Sequence, residues 1–407
     1  MAGSRELPNH ADLLPFEHAV AGHDGTLSDQ DGELFIKPCV QQEIDFYETA
    51  FRDHPDFADL MPGYLGTLSL NDATGVDSVN EQLPAVAEHL SQALKEEVVA
   101  KAKEGALEAA TDTSTPTDNI RWNPNKSRKI ATNKSVVLEN TTHGYKKPNI
   151  LDAKLGRRLW ADDAPLEKRK RFDEITRLTT NGSHGFRIAG MRVYKGADDP
   201  AELDENGYKV YTKDYGKQHV NGDNLVQEMG KFIFNERAGI DEDLGKAIAR
   251  AFLNDLRRVE EVMSRSETRM YSASLLFTFE GDGEALRQAI VQQATISKET
   301  EEKGIDPDVA VTSAGDIHEV LKEKDATSSI PLVTGPIEGD VKVMELTGDV
   351  LADGEDEDED ELSNIPRIYS LKLIDFAHAE WVPGQGPDEN SLSGVRSLIK
   401  IFEELAR

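Results

Sequence analysis

Two long polar stretches divide the 407-residue chain and limit what it can fold into. Residues 71–129 run to Ala, Glu, Lys, Ser and Thr; within them "EQLPAVAEHLSQALKEEVVAKAKEGALEAA" reads as a surface helix and "TDTSTPTDN" as a polar linker. Residues 283–363 are polar and loop-rich to about 340, then carry "DGEDEDEDE" at 353–361, an acidic run that cannot pack without neutralisation. Both stretches read as insertions, so the core has to be assembled from the patterned blocks around them. With 38% hydrophobic residues those blocks suffice for two domains or one two-lobed domain.

The first block shows a turn at "AGHDGT", an apolar strand "ELFIKPC" that carries Lys37, and an amphipathic helix "QQEIDFYETAFRD" that carries Glu43. "KSVVLEN" returns to strand character. Then "PNILDAKLG", residues 148–156, puts Asp152 and Lys154 one residue apart inside an apolar stretch. Alternate residues share one face of a strand, so the two charges emerge side by side. On these nine residues alone, an ion pair at a strand end explains them as well as a binding site does. Asp163 and Pro165 predict the start of a basic helix, Asp as cap and Pro in the first turn. A hairpin is expected around "HGFRIAGMRVYKG", helices over roughly 223–237 and 241–263, and a strand at "SASLLFTFEG". "RIYSLKLIDFAHAEWV" predicts a strand ending in Asp375, and "LSGVRSLIKIFEEL" an amphipathic terminal helix. No internal repeat is visible.

Charge narrows the function. A net charge of -30 excludes a general nucleic-acid-coating surface, because such surfaces neutralise phosphates with excess Lys and Arg; direct nucleic-acid binding is not expected. From Lys154 to Arg171, however, seven cations (Lys154, Arg157, Arg158, Lys168, Arg169, Lys170, Arg171) face three acids (Asp162, Asp163, Glu167). Such a patch suits a small, highly charged anion, although Glu167 with Arg171 could make part of it an ordinary solvated helix face. Arg169 and Lys170 are adjacent and cannot both face one ligand. The single cysteine, Cys39, excludes an internal disulfide framework and a thiolate zinc site, and fits a reducing compartment. No apolar run approaches the roughly 18 residues of a membrane span, and "MAGSRELPNHADLL" lacks the order of a signal peptide, so an intracellular, soluble protein is expected.

Phosphoryl transfer from ATP requires a cation on the phosphates, an acid for magnesium, a backbone loop over the triphosphate and a seat for the acceptor hydroxyl. Lys37 with Glu43 reproduces the strand-lysine and helix-acid pair of kinases, and "IDFA" at 374–377 resembles their Asp-Phe-Gly with Ala for Gly. Neither a His-Arg-Asp loop nor a G-x-G-x-x-G or G-x-x-x-x-G-K-S/T stretch occurs, which sets ordinary protein kinases and P-loop enzymes aside. "PNILDAKLG" matches the P-x-x-x-D-x-K-x-G signature of the inositol polyphosphate kinase family. "YSASLLF" at 271–277 is similar to its S-S-L-L element, "LIDFAH" at 373–378 to its I-D-F segment, and "GFRIAGMRVY" to the strand pair between them, all in the family's order. The chain thus resembles that family, in its multikinase branch of fungal type, over blocks from about 20 to 47 and 134 to 403.

The resemblance implies an α+β, two-lobed fold with an ATP cleft between an N-lobe (1–140) and a C-lobe (141–407), and an inositol-binding segment at about 157–182. It implies roles too. Lys37, Asp152, Lys154 and Asp375 would be catalytic, and the backbone at Glu139 would meet adenine. Asp152 would hold ribose and approach the inositol ring, Lys154 would bind the acceptor and the transferred phosphate, and Asp375 with Ser274 would organise magnesium. Lys168, Arg171 and His378 would receive the inositol substrate. The family commonly has Ser where this chain has Ala273. ATP and Mg2+ are the implied cofactors, inositol tris- and tetrakisphosphates the implied acceptors, and the nucleus and/or cytoplasm the implied location. A phosphoinositide lipid headgroup, and transcription regulators bound through the acidic run, are further implied partners. The alternative is a scaffold or transcription-associated factor with weak or no catalysis; the complete set Lys37, Asp152, Lys154 and Asp375 favours the enzyme. A basic helix standing alone as the acceptor wall predicts an open site.

Overall fold

The computed structural model describes residues 13–16, 25–69, 132, 134–302 and 367–407. The helix and linker expected at 81–119, and the acidic run at 353–361, lie outside the described residues. The first lobe comprises β1 (Leu14–Pro15), β2 (Leu27–Ser28), β3 (Leu34–Pro38), α1 (Gln41–Asp53), α2 (Pro55–Ala58), β4 (Tyr64–Ser69) and β5 (Lys134–Glu139). Its strands form one antiparallel sheet in the order β1-β2-β3-β5-β4. Period two sorts β3: Leu34 and Ile36 join Val137 in a small outer cluster, while Phe35 packs on the main core and Lys37 reaches Glu43 of α1. Helix α1 turns Ile44, Phe46, Tyr47 and Ala50 inward, the spacing its sequence predicts.

The second lobe continues through β6 (Pro148–Leu155), α3 (Leu166–Leu178), α4 (Thr180–His184), β7 (Phe186–Tyr194), β8 (Tyr208–Tyr211), α5 (Lys213–Gln218), α6 (Leu225–Ile233) and α7 (Glu242–Arg265). It closes with β9 (Thr268–Met270), β10 (Ser274–Glu280), α8 (Gly283–Glu302), β11 (Tyr369–Ile374), β12 (Ala379–Trp381) and α9 (Glu389–Leu405). A five-stranded antiparallel sheet, β11-β10-β6-β7-β8, forms its centre. Leu275, Phe277 and Phe279 of β10 enter the core, where Phe277 stacks on Phe402 of α9 at 5.3 Å and meets Phe252 of α7 edge-on at 5.2 Å. Each such ring, fully buried, contributes about 1.5–3 kcal/mol. The alternate residues Ser274 and Thr278 fall on the opposite face with Asp152 and Lys154 of β6. One sheet therefore separates an aromatic core from a polar floor.

The lobes meet where α1 and the residues after α2 touch the end of β11 and Phe376 beyond it. Leu373 N–H donates to Leu60 O at 2.7 Å, Lys372 Nζ to Asp59 O at 2.9 Å, and Phe376 stacks on Phe46 at 4.9 Å.

Four sequence expectations change. The segment expected as a hairpin is the single strand β7, paired with β6 on one side and β8 on the other. Its Gly190 lies opposite Asp152 beside a register shift that leaves Ala189 as the extra residue of a bulge, so no turn is needed there. Residues 283–302, read as the start of a polar, loop-rich insertion, are helix α8: Leu286, Ala289, Ile290, Gln293 and Ala294 are buried at helical spacing, and Glu284, Arg287, Gln288 and Gln292 are exposed. Helix α3 starts at Leu166 with Pro165 at its cap position and no side-chain cap, so Asp163 does not cap it. The strand expected to end in Asp375 stops at Ile374; Asp375 itself adopts a left-handed backbone, φ 68°.

Candidate active site

Three charged side chains from three elements converge at the mouth of the cleft. Lys37 Nζ donates to Glu43 Oε1 at 2.8 Å and to Asp375 Oδ1 at 2.7 Å. Lys154 Nζ lies 3.7 Å from Asp375 Oδ2 and donates to Ser272 O at 2.6 Å. Burial pulls the Lys37 ammonium down, but the charges of Asp375 and Glu43 outweigh it and hold it well above the usual lysine range. The lysine stays charged. Glu43 is fully buried and also accepts the Phe376 N–H at 3.2 Å, so one carboxylate fixes both the strand lysine and the backbone that follows Asp375. The left-handed turn at Asp375 is stabilised by this contact and by the Phe376 stack on α1.

Asp152 is 4% exposed and faces the same cleft. Burial pushes its carboxyl up; Lys154 works against that and the Asp375 charge adds to it. The hydroxyl of Ser274, which pairs across the strands with Lys154 and Ile374, also favours the charged carboxylate of Asp152, and both Asp152 Oδ1 and Ser274 Oγ are buried. These two buried oxygens beside the Asp375 carboxylate form a donor set of the kind a magnesium ion shares with phosphates. Among the described residues, no group of three or more His, Cys, Asp or Glu could hold a metal by itself.

The acceptor side begins with His378, whose Nε2 lies 3.4 Å from Lys168 Nζ of α3. Burial lowers the imidazole below its ordinary range, and the nearby Lys168 charge lowers it further, so it is neutral near pH 7. Lys168 is half-buried on the inward row of α3, whereas Arg171 is exposed and leans on Phe172 at 5.5 Å. Further along the same helix Glu174 pairs with Arg177 at 2.7 Å. Arg169 turns back to Ala164 O at 2.7 Å and so serves the helix start. Glu139 lies at the far end of the cleft. Its carboxylate meets Arg367 Nη2 at 2.5 Å and its N–H donates to Gly63 O at 2.8 Å, so that amide is already engaged.

Lys37, Asp152, Lys154, Ser274, Asp375, His378 and Lys168 are thus brought together; Glu139 and Arg171 stand at the margins. Two asparagines escape sequence reasoning. Buried Asn181 donates to the carbonyls of Lys154 (3.1 Å) and Gly156 (2.8 Å), and Asn390 of α9 accepts the N–H groups of Arg157 and Arg158 at 2.8 Å each. Gly156, φ 94°, is required between them, since a Cβ there would lie 2.5 Å from Asn390 Nδ2. Both asparagines look like ordinary turn and cap residues in "TTNG" and "DENS", with no motif to mark them.

A sequence profile described as inositol polyphosphate kinase matches residues 135–403. The chain belongs to the inositol polyphosphate kinase family. The inositol polyphosphate multikinase of Saccharomyces cerevisiae is 31% identical over 95% of this chain and 96% of its own length. That of Schizosaccharomyces pombe is 29% identical over 66% and 79%. Human inositol hexakisphosphate kinase 1 is 24% identical over 97% and 93%. Among solved structures, the S. cerevisiae inositol phosphate multikinase in complex with ADP and Mn2+ superposes with a TM-score of 0.52 at 26% identity, covering 92% of this chain and all of that one. The resemblance read from "PNILDAKLG" and "LIDFAH" is borne out, as are the α+β kinase fold and the assignment as an inositol phosphate kinase.

Proposed function

We propose that this kinase uses ATP and Mg2+ to phosphorylate ring hydroxyls of inositol tris- and tetrakisphosphates. The observation that carries the reading is the convergence of Lys37, Lys154 and Asp375 beside the buried Asp152 and Ser274 oxygens, with Lys168 and His378 adjoining. Its likeness to the two yeast multikinases and the ADP and Mn2+ of the S. cerevisiae structure support it. Mg2+, when bound, would neutralise phosphate charge, with Asp375 and the oxygens of Asp152 and Ser274 as its protein donors. Lys37 holds the nucleotide phosphates, and Glu43 keeps that lysine aimed. Lys154 exchanges its contact with Asp375 for the transferred phosphoryl group and acceptor oxygen, stabilising charge as it develops. Lys168 donates to ring phosphates and neutral His378 accepts from or donates to a ring hydroxyl. In a loose transition state the hydroxyl proton leaves late, so positioning and charge neutralisation suffice without a strong base.

Chromatographic analysis of products from inositol trisphosphate, ATP and Mg2+ tests this directly, with Lys154→Ala as the control. Wild-type conversion to higher phosphates, abolished by the variant, is expected; no conversion, or full turnover by the variant, overturns the assignment. A phosphoinositide headgroup as a further acceptor, and residence in the nucleus and/or cytoplasm, belong to the same proposal and are checked by lipid-vesicle assays and imaging of a tagged chain. No observation on the described residues favours the scaffold reading.

A further inference from the structure

Helix α3 buries no side chain, and its Leu166 and Leu178 are 65% and 60% exposed, so apolar packing does not hold it over the acceptor side. A polar knot around Trp160 does. The indole lies between two guanidinium groups, Arg158 at 3.9 Å and Arg169 at 4.8 Å from its ring centre, and its Nε1–H donates to Asp173 Oδ1 at 2.7 Å. Arg158 also stacks on Tyr271 at 4.8 Å, pairs with Asp162 and donates to Trp160 O at 3.0 Å. Tyr271 N–H in turn donates to His378 O at 3.1 Å. Arg169 and Asp173 belong to α3, Arg158 leaves the end of β6 under the Asn390 clamp, and Tyr271 leads into β10. The ring therefore ties the helix that carries Lys168 to both strands that carry the catalytic face.

We propose that Trp160 is a positioning residue: its two cation–π contacts and its bond to Asp173 set the distance between Lys168 on α3 and His378, and so tune affinity for the acceptor without touching it. The proposal rests on the reading of α3 as the acceptor wall. Cation–π contacts with a half-buried indole are directional, and small displacements of a phosphate-binding cation weaken its hold.

The test compares Trp160→Ala, Trp160→Phe, Asp173→Asn and Lys168→Ala by steady-state kinetics with inositol trisphosphate and ATP, and by amide hydrogen exchange of residues 166–178. Trp160→Ala is expected to speed exchange across α3 and raise the inositol KM at least fivefold, with the ATP KM and kcat within twofold and the melting temperature little changed. Trp160→Phe keeps a ring between the guanidiniums, and Asp173→Asn keeps an acceptor for Nε1–H; both should recover most of the affinity. Unchanged exchange in Trp160→Ala overturns the proposal whatever the kinetics. If exchange quickens and Lys168→Ala raises the inositol KM while Trp160→Ala does not, positioning is refuted and the acceptor wall stands. If neither variant moves that KM, the acceptor-wall reading fails and takes the proposal with it.

Discussion

Asp375 answers to two lysines at once, which makes its charge the most informative single charge to remove. Asp375→Asn keeps the side-chain shape but leaves Lys37, 2.7 Å away, and Lys154, 3.7 Å away, facing each other with one anion fewer. It also deletes the proposed anionic metal donor. Activity should fall on the order of 100-fold or more, as for loss of one group that stabilises developing charge, and added Mg2+ should not restore it. A magnesium titration beside a melting curve checks this; wild-type rates at any concentration, with an intact fold, would refute the role. The residues that made this site legible, Asp152, Lys154 and Asp375, sit in short contiguous patterns; strand period aims the first two, and Asp375 follows the last strand residue in a left-handed turn. Asn181 and Asn390 are invisible in the sequence because their work is to bind backbone 25 or more residues away, and any turn or cap could use the same letters.

Helix α3 separates what a charge count merges. Lys168 and Arg171 are three apart, but only Lys168 lies on the half-buried inward row near His378, while Arg171 is exposed and stacked on Phe172. Lys168→Ala should raise the inositol KM about tenfold, the loss of one charge-assisted contact of roughly 1.5–3 kcal/mol, and Arg171→Ala no more than about threefold. Separate KM measurements decide; an equal effect from both would place the ring phosphates outside the inward row. Helix α8 teaches the complementary lesson. Its polar letters outnumber its apolar ones, so composition reads it as loop, yet Leu286, Ala289 and Ile290 give it one buried stripe. Leu286→Ala should lower stability by about 2–5 kcal/mol while leaving both KM values unchanged, measured by denaturant melts and kinetics. Loss of no more than about 0.5 kcal/mol, the size of a surface effect, would mean α8 is not part of the cooperative core.

At the scale of the whole molecule the seam between the lobes carries the pH dependence. The two-lobed plan was legible through the family resemblance carried by the blocks around the two polar stretches; the seam was not, because it joins Asp59 and Leu60 to residues roughly 200 and 300 positions on. There Arg258 of α7 pairs with Asp59 at 3.0 Å, Lys372 of β11 donates to Asp59 O at 2.9 Å, and Tyr369 O–H reaches Asp255 Oδ1 at 3.4 Å. Burial pushes the Asp255 carboxyl up to about 6, with Arg258, the Tyr369 bond and Lys372 only partly opposing it. A folded value above the ordinary 3.8 means that the native state binds this proton more tightly than the unfolded chain does. Its contribution to stability is therefore full below about pH 4 and is lost as pH rises from there through about 6; above that, the buried carboxylate opposes folding. The gap corresponds to about 3 kcal/mol at most. Asp255→Asn, which keeps an acceptor for Tyr369 and removes the charge, should raise the melting temperature by about 2 °C or more at pH 7.5, and the gain should vanish near pH 4. Thermal melts of both proteins across that range test the sign. A lower melting temperature for the variant at pH 7.5 would show that Arg258 and Lys372 outweigh burial, and that the seam is held together by the Asp255 charge.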